Sequence, residues 1–371
     1  MKLKDNLPQI VVIKIGTSSL TNEIGAIDSE KIDNIAYQIN EIMKKNCKVV
    51  LVSSGAIKAG MQKLNIKSRP KTVPMLQACA AAGQSSLMEI YNIIFGNYNL
   101  NAAQILITSD DFRSRRRFLN CRNTIKVLLD MNCIPIVNEN DTVSTDEIKF
   151  GENDTLSAIV AAGIDADLLI NLSDVNGLYT ADPNVDPNAQ RIPVISKITN
   201  EIISIAGASA SLVGSGGMTS KIKSAKIATN SGVRLVIANA NEPNIIVRVV
   251  NGEDVGTKFL AKEHNLTSRK RWIAYAAKTK GVIKVNTGAM EKIAKEGKSL
   301  LAVGVISAEG YFNSGDIVVI NCNGVDFAKG IVYYSSKEIN QIAGIKTDKI
   351  ETILGAKDYD EVVHHDNMVI L

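Results

Sequence analysis

Short runs of consecutive apolar residues alternate along this chain with longer stretches in which apolar positions recur every three or four residues. Residues 10–15 read as a buried strand. Ile32, Ile35, Ala36, Ile39, Ile42 and Met43 then share one helical face, with Asp28 or Ser29 placed to cap the helix. Residues 48–53 form the next strand, and Ser54, Gly55 and Ala56 turn it into a helix. Further strands are expected at 103–108, 134–137, 167–172 and 234–238, with helical patterns between most of them. Strands alternating with helices predict an α/β fold with a mainly parallel sheet covered on both faces. Ligands of such sheets bind at the carboxyl ends of the strands. Polar clusters follow four strands there: Gly16-Thr17-Ser18, Ser53-Ser54-Gly55, Asn138-Glu139-Asn140-Asp141 and Ser173-Asp174.

The pattern changes near residue 259. A polar stretch, 259–271, separates an expected catalytic domain (1–258) from a β-rich domain (272–371). Strands are predicted in the latter at 281–285, 300–306, 316–321 and 330–334, with one short helix at about 336–342. A chain of 371 residues with 45% apolar residues accommodates two such cores. Lys and Arg number 42 against 38 Asp and Glu, a balance of +4 that argues against a dedicated nucleic-acid binder. From Trp272 onward 11 Lys face 12 Asp and Glu, with no Arg at all, which weakens RNA binding further. No apolar run approaches the roughly 18 residues that cross a bilayer. Residues 1–6 lead straight into a strand without a signal-peptide pattern. Five cysteines without a Cys-x-x-Cys pair read as buried thiols. A cytoplasmic protein with no membrane partner is expected. All three histidines lie at or beyond position 264, so chemistry in the first domain uses no imidazole.

Lys14 interrupts the apolar strand 10–15 just before a Gly/Thr/Ser turn. Burying a lysine without a counter-charge is costly, and a bound polyphosphate would supply one. The plainer reading is a snorkelling side chain on an edge strand. Lys221 closes a second candidate, Gly214-Ser215-Gly216-Gly217-Met218-Thr219-Ser220-Lys221, in which glycines admit close backbone approach and a helix N-terminus follows. It is neither a Walker A loop nor G-x-G-x-x-G, and a flexible turn with Lys221 solvated remains the alternative. The cluster at 138–141 suits an amino acid, Asp141 meeting an ammonium and the amides a carboxylate. Asn153 and Asp154 read either as helix caps or as site residues, Asp154 orienting the two lysines or holding Mg²⁺. The run Arg113-Ser114-Arg115-Arg116-Arg117 is a solvated face or a guide for an acidic substrate.

Taken together, Val11 to Thr17, Val52 to Gly60, Arg117 to Asn120, Pro135 to Val143, Ile148 to Ser157, Gly177 to Pro183, Gly214 to Lys221 and Arg269 to Trp272 resemble the amino-acid kinase family, in its glutamate 5-kinase branch. The tail resembles a PUA domain. The resemblance implies a three-layer sandwich and ATP-dependent phosphorylation of the side-chain carboxylate of L-glutamate, the first step of proline biosynthesis. It places ATP contacts on Lys14, Ser173, Asp174, Ser215, Gly216, Gly217, Met218, Thr219, Ser220 and Lys221. Glutamate contacts fall on Ser54, Asp141 and Asn153, with Asn138 close by. Lys14 and Lys221 would flank the transferring phosphoryl group and Asp154 would organise them, with Mg²⁺ as cofactor. The family pattern has Thr at the place of Ser173 and Asp at that of Glu152. The resemblance also implies proline as feedback inhibitor, hand-off to glutamate-5-semialdehyde dehydrogenase, and a homo-oligomer, dimer or tetramer. Another family member, an acetylglutamate, aspartate or nucleotide kinase, is the neighbouring reading. An RNA-binding PUA protein is the reading from a different class.

Overall fold

A computed structural model of the chain describes residues 7–143, 153–183, 185–208, 217–261, 270, 273–274, 279–357 and 359–371. Two compact units emerge, one comprising Met1–Asp111 with Arg116–Asn265, the other Phe112–Arg115 with Leu266–Leu371.

The first unit is built on an eight-stranded sheet. Its strands are β1 (Ile10–Ile15), β2 (Lys48–Ser53), β3 (Asn101–Ile107), β4 (Cys133–Glu139), β5 (Leu168–Ser173), β6 (Val194–Ile195), β7 (Arg234–Asn239) and β8 (Thr257–Phe259), in the order β3-β4-β2-β1-β5-β7-β8-β6. All neighbours are parallel except β7 and β8. β1 is central, so the chain builds one half of the sheet to one side of it and then crosses to the other at β5. That is a topological switch point, where the carboxyl ends of parallel strands leave a crevice.

Helix α1 (Ser29–Met43) starts at Asp28, whose carboxylate accepts the N–H groups of Glu30 and Lys31. It lays Ile32, Ile35, Ala36, Ile39 and Ile42 onto the sheet face formed by Val11, Ile13, Ile15, Val49 and Leu51. Each fully buried isoleucine there contributes roughly 1.5–3 kcal/mol relative to exposure. Helices α2 (Ala56–Lys63) and α3 (Val73–Gly96) meet at backbone distance. A Cβ on Gly60 would fall 1.7 Å from the carbonyl oxygen of Cys79, and one on Gly83 1.9 Å from that of Ala56. Further helices are α4 (Ser109–Arg113) and α5 (Arg115–Asp130), which include the residues 112–115 grouped with the second unit, and α6 (Asn153–Ile164), α7 (Asn200–Ala208), α8 (Met218–Asn230) and α9 (Ile245–Val250) of the first. Asn153 and Asp154, read from the sequence as caps or site residues, lie inside the first turn of α6. β8 runs one residue past the expected domain boundary at 258.

The second unit holds a five-stranded sheet in the order β11-β9-β12-β13-β15, from β9 (Gly281–Val285), β11 (Val305–Gly310), β12 (Ile317–Cys322), β13 (Val325–Ile331) and β15 (Met368–Ile370). β10 (Leu300–Leu301) and β14 (Glu361–Val363) form a separate antiparallel pair. The expected strand 300–306 is thus broken into β10 and β11 by a 3₁₀ turn at Ala302–Gly304. The helix Ser336–Ile342 carries a capping box between Ser335 and Glu338. A helix at Thr287–Glu296, capped by Asn286, goes beyond the pattern reading, because a single buried residue, Ile293, gives it too narrow an apolar stripe to stand out. Ile283, Val318, Ile320, Ala328, Ile339, Ile342 and Val363 form a core of its own.

Replacing Gly60 by alanine is expected to cost about 2–4 kcal/mol in urea denaturation, because backbone, not a flexible side chain, occupies the Cβ position. Gly96→Ala, which meets no atom within 4 Å, is expected to be neutral or slightly stabilising.

Candidate active site at the sheet switch point

Side chains alternate across β1. Val11, Ile13 and Ile15 enter the core under α1, so Lys14 projects from the opposite face. In register it lies beside Val52 of β2 and Asn171 of β5. A strand flanked on both sides is no edge, and Lys14 is only 6% exposed, so the snorkelling reading fails. α6 packs against β1 and presents Asp154 on its first turn. The Lys14 ammonium lies 2.5 Å from Asp154 Oδ1, and Asn171 Nδ2 donates to the same oxygen at 3.1 Å. On the other oxygen, Ser220 Oγ donates at 2.9 Å and Lys221 Nζ stands at 4.0 Å. The counter-charge expected from a polyphosphate is therefore already supplied by Asp154, which is 1% exposed.

Burial alone would raise the Asp154 pKa. The ammonium groups of Lys14 and Lys221, with the hydrogen bonds from Lys14 and Ser220, outweigh it and hold the carboxyl below its ordinary range. Lys221 is pushed below the ordinary lysine value, chiefly by burial and secondarily by Lys14, while Asp154 and Asp174 oppose the shift. Two ammonium groups thus share the buried Asp154, with the exposed Asp174 also acting on Lys221. Gly217 caps α8 without a side-chain hydrogen bond, and the space where its Cβ would lie is open. The N–H groups of Met218 and Thr219, without a hydrogen-bond partner among the described residues, adjoin the two lysines, an arrangement that fits the phosphates of a nucleotide. Ser173, buried at the end of β5, donates to the exposed Asp174 at 3.0 Å. Met218 is half-buried, and Thr219 Oγ1 donates to the carbonyl of Ala206 at 3.5 Å. Ser215 and Gly216 lie outside the described residues.

A second polar cluster sits at the ends of β2 and β4. Asn153 Nδ2 donates to Ser53 O (2.9 Å), Ser54 Oγ (2.8 Å) and Asn138 Oδ1 (3.0 Å). Asn138 Nδ2 donates to Gln84 Oε1 at 3.0 Å. Gly55, at φ +102°, gives the turn its shape. Asp141, half-buried just beyond β4, makes no hydrogen bond among the described residues. Burial pushes its pKa up to about 6, with Arg69 opposing. Ser54, Asn138 and Asn153 thus converge directly, and Asp141 stands free beside them in the chain. The arginine run contributes a local surface pair, Arg117 with Asp111 at 3.4 Å.

Sequence reasoning missed Asn171, Gln84 and Tyr91, whose hydroxyl is 2.9 Å from Ser53 Oγ. Asn171 carried the signal that exposed Lys14, a polar residue inside a buried strand. Gln84 and Tyr91 lie within a long helix whose pattern gives no such contrast.

The amino acid kinase family model matches residues 9–239, and a PUA domain model matches 281–354. The chain belongs to the amino acid kinase family. Its relatives include proteins named glutamate 5-kinase from Thermoanaerobacter sp. (strain X514), 47% identical, and from Caldanaerobacter subterraneus subsp. tengcongensis, 46% identical. In each case 97% of both chains is covered. Among solved structures, carbamate kinase from Giardia lamblia bound to AMP-PNP superposes with a TM-score of 0.51 at 21% identity, over 68% of this chain and 99% of that one, a likeness of fold. Among the described residues of this amino acid kinase, no helix is long and apolar enough to cross a membrane.

Asp154→Asn removes the buried carboxylate that Lys14 and Lys221 share, and a loss of about 3 kcal/mol in denaturation at pH 7 is expected. Because the folded-state pKa of Asp154 is depressed, its contribution is fully present above the ordinary value of 3.8 and is lost as pH falls below it. The difference between wild type and variant should therefore be flat through neutral pH and shrink only in acid.

Proposed function

We infer that the protein transfers the terminal phosphoryl group of ATP to the side-chain carboxylate of L-glutamate, forming L-glutamyl 5-phosphate and ADP in the first step of proline biosynthesis. The observation that carries this reading is the buried pair of lysines sharing one carboxylate at the switch point of the sheet. The match along 97% of the chain to proteins named glutamate 5-kinase supports the choice of acceptor.

The acceptor carboxylate, whose ordinary pKa is about 4.3, is ionised at neutral pH and needs no general base. The obstacle is bringing one anion onto another. Lys14 and Lys221, held by Asp154, provide a preorganised positive site for the charge spread over the transferring group. Lys221 sits in surroundings that favour its neutral form, so Asp154 also serves to keep it charged. Both oxygens of Asp154 are engaged by protein donors, which leaves it orienting lysines rather than ligating a metal. Mg²⁺, when bound, would supply further neutralisation of negative charge. Ser173, Asp174 and the segment from Ser215 to Lys221 serve the nucleotide. Ser54, Asn138, Asp141 and Asn153 serve glutamate, Asp141 taking the ammonium.

Proline, which keeps an α-carboxylate and an ammonium, would compete at the same cluster. The acyl phosphate is labile, which favours hand-off to glutamate-5-semialdehyde dehydrogenase. A homo-oligomer, dimer or tetramer, and a regulatory or structural role for the C-terminal domain (272–371, after the 259–271 linker) complete the reading.

A coupled ADP assay with glutamate, acetylglutamate and aspartate as acceptors, with and without proline, tests the assignment; turnover confined to an acceptor other than glutamate overturns it. Lys14→Ala and Lys221→Ala should each lower kcat by about 100-fold or more with the fold retained. Near-normal turnover in both would remove the mechanism. The glutamate KM should rise as pH falls through about 6, where free Asp141 takes up a proton, and the ATP KM should not. Asp141→Asn should start from the raised KM and show no such pH dependence.

A further inference from the structure

We propose that Gln84 reads the α-carboxylate of the acceptor amino acid, an inference that rests on the glutamate-kinase reading and extends it. Gln84 lies on α3, one residue beyond Gly83. That glycine permits α3 to press against the first turn of α2, with no room for a Cβ beside Ala56 O or Gly60 N. The contact carries Gln84 to Asn138, which Asn153 links to Ser53 and Ser54. The side chain is 9% exposed and, among the described residues, carries one hydrogen bond, received at Oε1 from Asn138 Nδ2.

That bond has a direction. Asn153 donates to Asn138, and Asn138 donates to Gln84. The side-chain carbonyls of Asn138 and Gln84 each accept from the amide nitrogen before them, Asn138 also from the N–H of Glu139, so the polarised chain ends on Gln84 Nε2. This NH₂ group has no acceptor among the described residues, and its nitrogen is not among the sealed, unpartnered polar atoms of the interior. A chain of aligned amides strengthens its terminal donor. A donor pair of this kind, at the edge of a cluster already holding Asn138, Asn153 and Ser54, is matched by an anionic oxygen. The acceptor molecule has two carboxylates. One must reach the lysines to be phosphorylated, which leaves the α-carboxylate for Gln84, while Asp141 takes the α-ammonium. Discrimination then follows from chemistry, because a buried donor left unpaired penalises any acceptor lacking that carboxylate.

The test uses the full-length enzyme with L-glutamate and with isoglutamine, in which the α-carboxylate is an amide. Gln84→Ala should raise the glutamate KM about 10- to 100-fold while kcat and the ATP KM stay within about threefold of wild type. Gln84→Glu retains an acceptor for Asn138 but replaces the free donor by an anion. It should raise the glutamate KM at least as far and lower the preference for glutamate over isoglutamine about tenfold or more. If Gln84→Ala fails to fold, the near-isosteric Gln84→Glu carries the same KM-against-kcat measurement. An unchanged glutamate KM in the folded variants, or a parallel loss of kcat and ATP affinity, overturns the proposal and leaves Gln84 as a prop for Asn138. Wild-type enzyme without any glutamate-dependent turnover would instead overturn the parent reading, so the two failures are distinguishable.

Discussion

One carboxylate organises this site. Asp154 is almost wholly buried, and it remains ionised because two ammonium groups, a hydroxyl and an amide converge on its two oxygens. Its partners come from three other elements, β1, β5 and the first turn of α8, while Asp154 itself stands on the first turn of α6. The ion cluster therefore fixes how two helices and two strands meet at the mouth of the crevice. A buried ion pair is not in general an economical source of stability, since desolvation offsets most of the attraction. Its value here is geometric and electrical. It holds two ammonium groups at a defined place, which an apolar replacement would not do.

The same folding logic produces the second cluster. Gly60 and Gly83 bring two helix backbones together where any side chain would collide, and the residue after Gly83, Gln84, meets Asn138. β4 and α6 contribute Asn138 and Asn153 from the other side. The two clusters abut through consecutive residues, Asn153 facing the amide network and Asp154 the lysines. On the proposed reading one helix terminus sets the spacing between the amino acid and the nucleotide. A shift of α6 would then disturb both at once.

The two units are stabilised separately, each by its own apolar core. The second unit's chain from Trp272 onward contributes no arginine and is slightly acidic, features that do not suit a phosphate backbone. Its strands were legible where apolar runs were uninterrupted, as at Gly281–Val285, and broken where a 3₁₀ turn intervened, as after Leu301.

The α/β class, most strands of the parallel sheet and the anomaly of a lysine at position 14 could be read from the order of residues, because a charge inside an apolar strand is visible without coordinates. So could the polar residues beyond β2, β4 and β5, since strand ends carry ligands in such sheets. Folding in three dimensions was needed to show that Asp154 supplies the counter-charge of Lys14, that Asn171 shares it, and that Gln84 terminates an amide chain. Those contacts join residues 140, 17 and 54 positions apart. Local periodicity reports which face a side chain occupies; which partner it meets there depends on strand order and helix packing, and these are set by the core as a whole.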